Sequence, residues 1–311
     1  MVATKEMKES VKPRVSAPLG LAFGLIAVSF AGIIIKNCGM DAEAMAMFRM
    51  LGGGLALLPF AWPHLKRELP SLDRKTALIL LVAGFFLAVH FVCWMEALKR
   101  TTVSSATMTL AMQPIFAAII GHFFIGERFR VSTAIALIIT IGGLVVIAVN
   151  NYAQGAERLS GVIMAVLAAL FITSVISCGK IVRRRMHILS YSSAIFLIAG
   201  ILLTPFLFKF GGELYTYSST QWLFMAIMIL VPTLMGHTLF YWSVKYIKVI
   251  TINLSALTEP VIATIGAMFL VSPAEFPRPL FYLGGAVILA GVAYHLILES
   301  REKVMYVAAT D

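Results

Sequence analysis

Ten apolar runs alternate with short polar segments along the chain. They cover residues 18–35, 44–62, 76–98, 104–125 and 131–149, then 160–181, 190–210, 221–244, 249–271 and 279–298. A helix that crosses a bilayer needs about 20 mostly apolar residues, and each run is close to that length. Helices are required, because a strand edge facing lipid would leave its backbone polar groups unpaired. The pattern predicts an all-α integral membrane protein of ten transmembrane helices.

The runs fall into two sets of five that share a sequence. Met112-Gln113-Pro114-Ile115-Phe116-Ala117-Ala118 is answered 146 residues later by Thr258-Glu259-Pro260-Val261-Ile262-Ala263-Thr264. After a two-residue insertion Glu127, Arg130 and Gly143 fall opposite Glu275, Arg278 and Gly291, so the Gly126-Glu127-Arg128-Phe129 turn corresponds to the Pro273-Ala274-Glu275-Phe276 region. The expected organisation is a tail (1–17), a first repeat (18–149), a polar linker containing Asn150-Asn151-Tyr152-Ala153-Gln154-Gly155 (150–159), a second repeat (160–298) and a tail (299–311). Five spans is an odd number, so the second repeat enters the membrane upside down relative to the first. The two are then inverted-topology repeats, an organisation suited to alternating access.

Charge orients this plan. With the N-terminus inside, eighteen Lys and Arg residues lie in inner segments and six in outer ones, leaving Arg49 within a span. The positive-inside rule therefore places both termini in the cytoplasm, and the expected location is the cell inner (plasma) membrane. Composition agrees. The 311 residues are 60% hydrophobic and 13% charged, against roughly a quarter charged in soluble domains. The net charge of +10 does not indicate nucleic acid, because the basic residues are scattered through short loops. The first run follows basic residues but precedes no small-residue cleavage site, so it reads as a retained helix. Cys38, Cys93 and Cys178 are widely spaced and form no metal-ligand cluster.

Several local patterns resemble the drug/metabolite transporter superfamily in its EamA-domain branch. Phe48-Arg49 opens the second span and Glu96-Ala97-Leu98-Lys99 closes the third, ahead of Thr101 to Ala106. Gln113-Pro114 and Glu259-Pro260 are similar to that family's acidic-residue-plus-Pro motif, and Gly126-Glu127-Arg128 to its Gly-Glu-Arg turn. The resemblance covers about residues 18–298. The chain departs from it at Phe30 and Phe171, where many members have Trp, at Gln113, where an acid is common, and at Ser272-Pro273-Ala274-Glu275. It implies a secondary transporter of small metabolites, with amino acids, especially large apolar or aromatic ones, as the leading substrate and export as the direction.

Charges within a bilayer are costly and call for a partner, a cavity or a task. Glu259 lies midway along the ninth span. It is a candidate coupling site or substrate partner, or a carboxyl that stabilises the kink at Pro260. His90 with Trp94, and His237 with Tyr241 and Trp242, are two aromatic-flanked histidines that the repeat would aim at one central cavity. Gln113, Asn253 and Thr109 can bond substrate or join helices. Arg49 and Glu96 are candidates for an outer gate formed by their pairing. No nucleotide-binding loop, HExxH or GxSxG occurs, so neither an enzyme nor a cofactor is expected. The expected partners are a small-molecule metabolite, the lipid bilayer and protons as coupling ion, with monomer and homodimer both open. Uptake or exchange of a cofactor-like metabolite or organic cation is the alternative within transport. A non-transporting membrane sensor or assembly partner is the alternative outside it.

Overall fold

The computed structural model describes residues 16–101, 106–107, 109–126, 130–152, 159–206, 217–270 and 279–308. Among these, all regular structure is helical. In chain order the helices are α1 (Ala17–Cys38), α2 (Ala42–Glu68), α3 (Arg74–Arg100), α4 (Gln113–Ile125), α5 (Val131–Tyr152), α6 (Leu159–Val182), α7 (Ile188–Leu203), α8 (Ser219–Ser243), α9 (Val249–Leu270) and α10 (Pro279–Ala308). Six of them, α1, α2, α3, α6, α8 and α9, are long and apolar enough to cross a membrane, and four shorter apolar segments lie in α4, α5, α7 and α10. Large apolar side chains such as Phe23, Phe60, Leu78, Phe123 and Phe269 point away from the bundle, as expected where lipid is the solvent.

Boundaries depart from the apolar runs in places. α2 continues to Glu68 and α10 to Ala308, because helix-forming polar residues extend them past the apolar stretch. α5 runs into the expected linker as far as Tyr152. The Glu127-Arg128 turn, the Ser272–Glu275 segment and linker residues 153–158 lie outside the described residues.

The repeated motif has the same local structure in both copies. A 3-10 turn at Leu110–Met112 leads into the helix that Gln113 opens, and a 3-10 turn at Ala256–Thr258 leads into the one that Glu259 opens. Proline supplies the cause. Pro114 and Pro260 have no N–H for the preceding turn and crowd its carbonyl, so the α-helix is interrupted just before each.

Packing joins one half to the other. α2 packs on α7, α4 on α9 and α5 on α10, each against its own counterpart; α1 packs on α8 as α6 packs on α3. The glycine contacts are reciprocal in detail. A Cβ at Gly54 would lie 2.7 Å from Leu197, and one at Gly200 would lie 2.6 Å from Leu51. Both glycines and both leucines are 146 residues apart. Likewise a Cβ at Gly143 would lie 2.9 Å from Ile288 Cγ1, and one at Gly291 2.6 Å from Thr140 Cγ2. The two halves thus pack on each other through corresponding positions. Small residues let these backbones approach closely where apolar burial alone gives no drive between helices in lipid.

Candidate functional site

Among the described residues a small cavity lies between the halves. Its volume is about 40 Å³, room for roughly three waters. Arg49 from α2, His90 and Trp94 from α3, Gln113 from α4, His237 from α8 and Glu259 from α9 all reach it. Most of the residues expected from the sequence are therefore brought together.

Arg49 is 1% exposed. Its Nε donates to Thr233 Oγ1 at 2.7 Å, and its Cζ lies 4.4 Å from the centre of the Phe91 ring. Its Nη2 is enclosed and has no hydrogen-bond partner. The position of Thr233 follows from Pro232. That proline cannot bond the carbonyl of Met228, and α8 widens into a π stretch over Ile229–His237. Thr233 Oγ1 donates to the freed Met228 carbonyl at 2.9 Å and thereby presents its oxygen to Arg49.

His90 Nδ1 donates to the Ala168 carbonyl on α6 at 2.8 Å, which leaves Nε2 free of that contact. The rings continue as a chain. His90 meets Phe91 edge-on at 4.8 Å and stacks toward Trp94 at 6.5 Å, and Phe91 meets His237 edge-on at 5.5 Å. Tyr241 follows His237 at 5.9 Å, and its hydroxyl is buried without a partner. Glu259 is 7% exposed and makes no hydrogen bond, and no ion pair within 4.0 Å, among the described residues.

Two expected placements differ in the structure, and two residues take the helix-joining alternative. Arg49 and Glu96 do not pair. Glu96 instead takes Arg100 at 2.6 Å and Lys99 at 3.6 Å on its own helix, since those cations stand one turn away at the helix end. Trp242 points away from the cavity. It packs over Gly20, where a Cβ would come within 2.4 Å of its ring, and lines a separate 320 Å³ pocket with Arg183, His64, His187, Lys245 and Glu68. Asn253 is fully buried as a joint between α6 and α9. Its Oδ1 accepts from Thr173 at 3.2 Å and its Nδ2 donates to Val249 at 2.8 Å. Thr109 likewise bonds the Ala106 carbonyl at 2.7 Å. Thr233, Ile172, Ile176 and Phe240 shape the cavity region without having been singled out. Of these Thr233 carried a signal, since it follows a proline inside an apolar run.

The 320 Å³ pocket is basic. Arg183 donates from Nε to the Tyr241 carbonyl at 3.3 Å and from Nη1 to Met186, and burial lowers its pKa. His187 stacks on His64 at 4.2 Å; burial, then the neighbouring His64 and Arg183, hold its pKa down.

Comparison with known proteins agrees with this architecture. The EamA-like transporter family model matches residues 16–149 and again 159–297, one match to each half. The chain is 26% identical to the uncharacterized transporter YxxF of Bacillus subtilis, over 97% of this chain and 96% of that one. It is 22% identical to an S-adenosylmethionine uptake transporter of Rickettsia felis, over 96% and 98%. A solved crystal structure superposes with a TM-score of 0.69 at 15% identity, covering 91% of this chain and 97% of the other, which shows a shared fold. With both halves matched, the chain belongs to the EamA-like transporter family of multi-pass membrane transporters.

Proposed function

We propose that this protein is a secondary transporter that moves a small metabolite by alternating access through the central cavity, most favourably an amino acid in the direction of export. In this reading ten spans form two inverted five-helix repeats in the inner membrane, with both termini cytoplasmic. The observation that carries it is the convergence of His90, Gln113, His237 and Glu259, two from each half, on one cavity. Enclosure of a site by two pseudo-equivalent units lets each unit serve in turn as the gate on its side. The aromatic lining of Phe91, Trp94 and Tyr241 suits an amphipathic side chain. Protons are the proposed coupling ion, with Glu259 as the titrating group.

A second reading is uptake or exchange of a cofactor-like metabolite or organic cation. It is supported by the full-length similarity to the Rickettsia felis protein. Membership in a transporter family speaks against a non-transporting sensor.

The test is flux in proteoliposomes across a metabolite panel under imposed pH gradients. Amino-acid efflux driven by an opposing proton gradient supports the first reading. Accumulation of organic cations without amino-acid flux selects the second. In Glu259→Gln the residual flux is expected to lose its response to the gradient.

A further inference from the structure

Arg49 is an expensive residue to hold where it lies. A guanidinium has five N–H donors, and this one makes a single hydrogen bond, to Thr233, while Nη2 is enclosed without a partner. No carboxylate stands within 4.0 Å of it among the described residues. A buried ion left uncompensated is strongly unfavourable, and an apolar side chain of similar size would close the bundle at lower cost. Glu259, of opposite charge, faces the same cavity and has no hydrogen bond or ion pair among the described residues. The two face one cavity, yet they form no ion pair within 4.0 Å among the described residues.

They are held apart by specific devices. Thr233 and the Phe91 ring retain the Arg49 head. The 3-10 turn at Ala256–Thr258 and the start of the helix after it set the position of Glu259. The Tyr241 hydroxyl, a third unpartnered group, borders the same space. An organic cation would satisfy Glu259 and be repelled by Arg49, and an anion would meet the converse. A ligand that carries both charges satisfies both residues.

We infer that Arg49 and Glu259 are the two poles of a binding site for a zwitterion, an α-amino acid whose carboxylate is taken by the free edge of Arg49 and whose ammonium is taken by Glu259. The inference rests on the cavity being the transport site. Phe91, Trp94 and His237 then face the side chain of the ligand. An arginine suits the carboxylate pole because its planar fork can give two parallel N–H bonds to the two oxygens. About 40 Å³ holds waters and not an amino acid, so binding accompanies a wider arrangement. The π stretch of α8 and the broken turn of α9 are the elements built to shift, since neither has an unbroken α-helical hydrogen-bond ladder.

The experiment is a binding series on the purified full chain in detergent, by calorimetry and by Trp fluorescence. The probes are L-phenylalanine, L-phenylalaninamide (no carboxylate), 3-phenylpropionate (no amine) and the other common amino acids. The wild type should prefer at least one amino acid to both of its truncated forms by about tenfold or more. Arg49→Gln should abolish the preference over the amide and keep the preference over the des-amino acid, and Glu259→Gln should do the reverse. Arg49→Lys should restore part of the first preference. Size-exclusion profiles and melting temperatures establish that each variant is folded; for any variant that is not, the wild-type series decides. Equal binding of amide and amino acid by the wild type overturns the inference, as does binding of no amino acid, or unchanged discrimination in Arg49→Gln. Flux of a cationic amide as fast as its amino acid would remove the clamp and leave transport standing. Selective binding with no flux of any metabolite would instead remove the transport reading.

Discussion

At the scale of single residues, the polar groups divide by what satisfies them. Asn253, Thr173 and Thr109 have their bonds within the bundle, and Glu96 has its cations on its own helix. Arg49 and Tyr241 retain unpartnered polar atoms, and both border the cavity together with Glu259. The sequence left both roles open for Asn253 and for Glu259, and only the packing separates them. Asp73, at the start of α3, offers a check on the surface. Thr76 donates to it at 2.6 Å and Arg185 also reaches it, and these hold its pKa below the ordinary 3.8, the Thr76 bond foremost. A carboxylate with a lowered folded-state pKa stabilises the fold above its unfolded value and loses that contribution as pH falls through the folded value. Asp73→Asn should therefore melt below the wild type near neutrality, by a small margin. The gap should close at pH values under 3.8, as read by thermal denaturation in detergent.

At the scale of elements, proline decides where helices change character. Pro114 and Pro260 produce the paired 3-10 turns, and Pro232 produces the π stretch that turns Thr233 toward Arg49. The first two were legible because they recur in the repeat; the third has no counterpart in the other half and gave no such warning. Thr233→Val keeps the shape of the side chain and removes the oxygen that accepts from Arg49 Nε. Leaving that buried donor unpaired costs about 1–3 kcal/mol. The variant should show a lower melting temperature and weaker ligand binding, whereas Thr233→Ser should retain both. Helix ends were harder to place. α2 and α10 run beyond their apolar stretches, because hydropathy marks what lies in lipid and backbone hydrogen bonding continues where side chains merely tolerate water.

At the scale of the whole molecule, the two halves bind each other through the same surface. The reciprocal contacts of Gly54 with Leu197 and Gly200 with Leu51 give this claim a direct test. An added methyl at either glycine meets backbone as well as side chain, with the nearest Leu197 and Leu51 nitrogens at 2.9 Å. Gly54→Ala and Gly200→Ala should each destabilise the fold by about 1–3 kcal/mol. Gly142→Ala, where nothing lies within 4 Å, should be neutral or slightly stabilising. Melting temperatures of the three variants provide the comparison, and equal effects at all three positions would remove the packing role assigned to the interface.

The sequence by itself determined the class of molecule. Runs of about 20 apolar residues admit little besides membrane helices, and a motif repeated at 146 residues establishes two like halves. It also named the ionisable and polar residues of the cavity, because such side chains stand out in an apolar background. Only the tertiary structure decided which of them share one space. Helical periodicity tells which side chains lie on one face of one helix. How that helix is rotated, and which partner it meets, is set by packing between halves. That packing turned Trp242 out, made Asn253 a joint, and moved Arg49 from an expected pair with Glu96 to a place opposite Glu259.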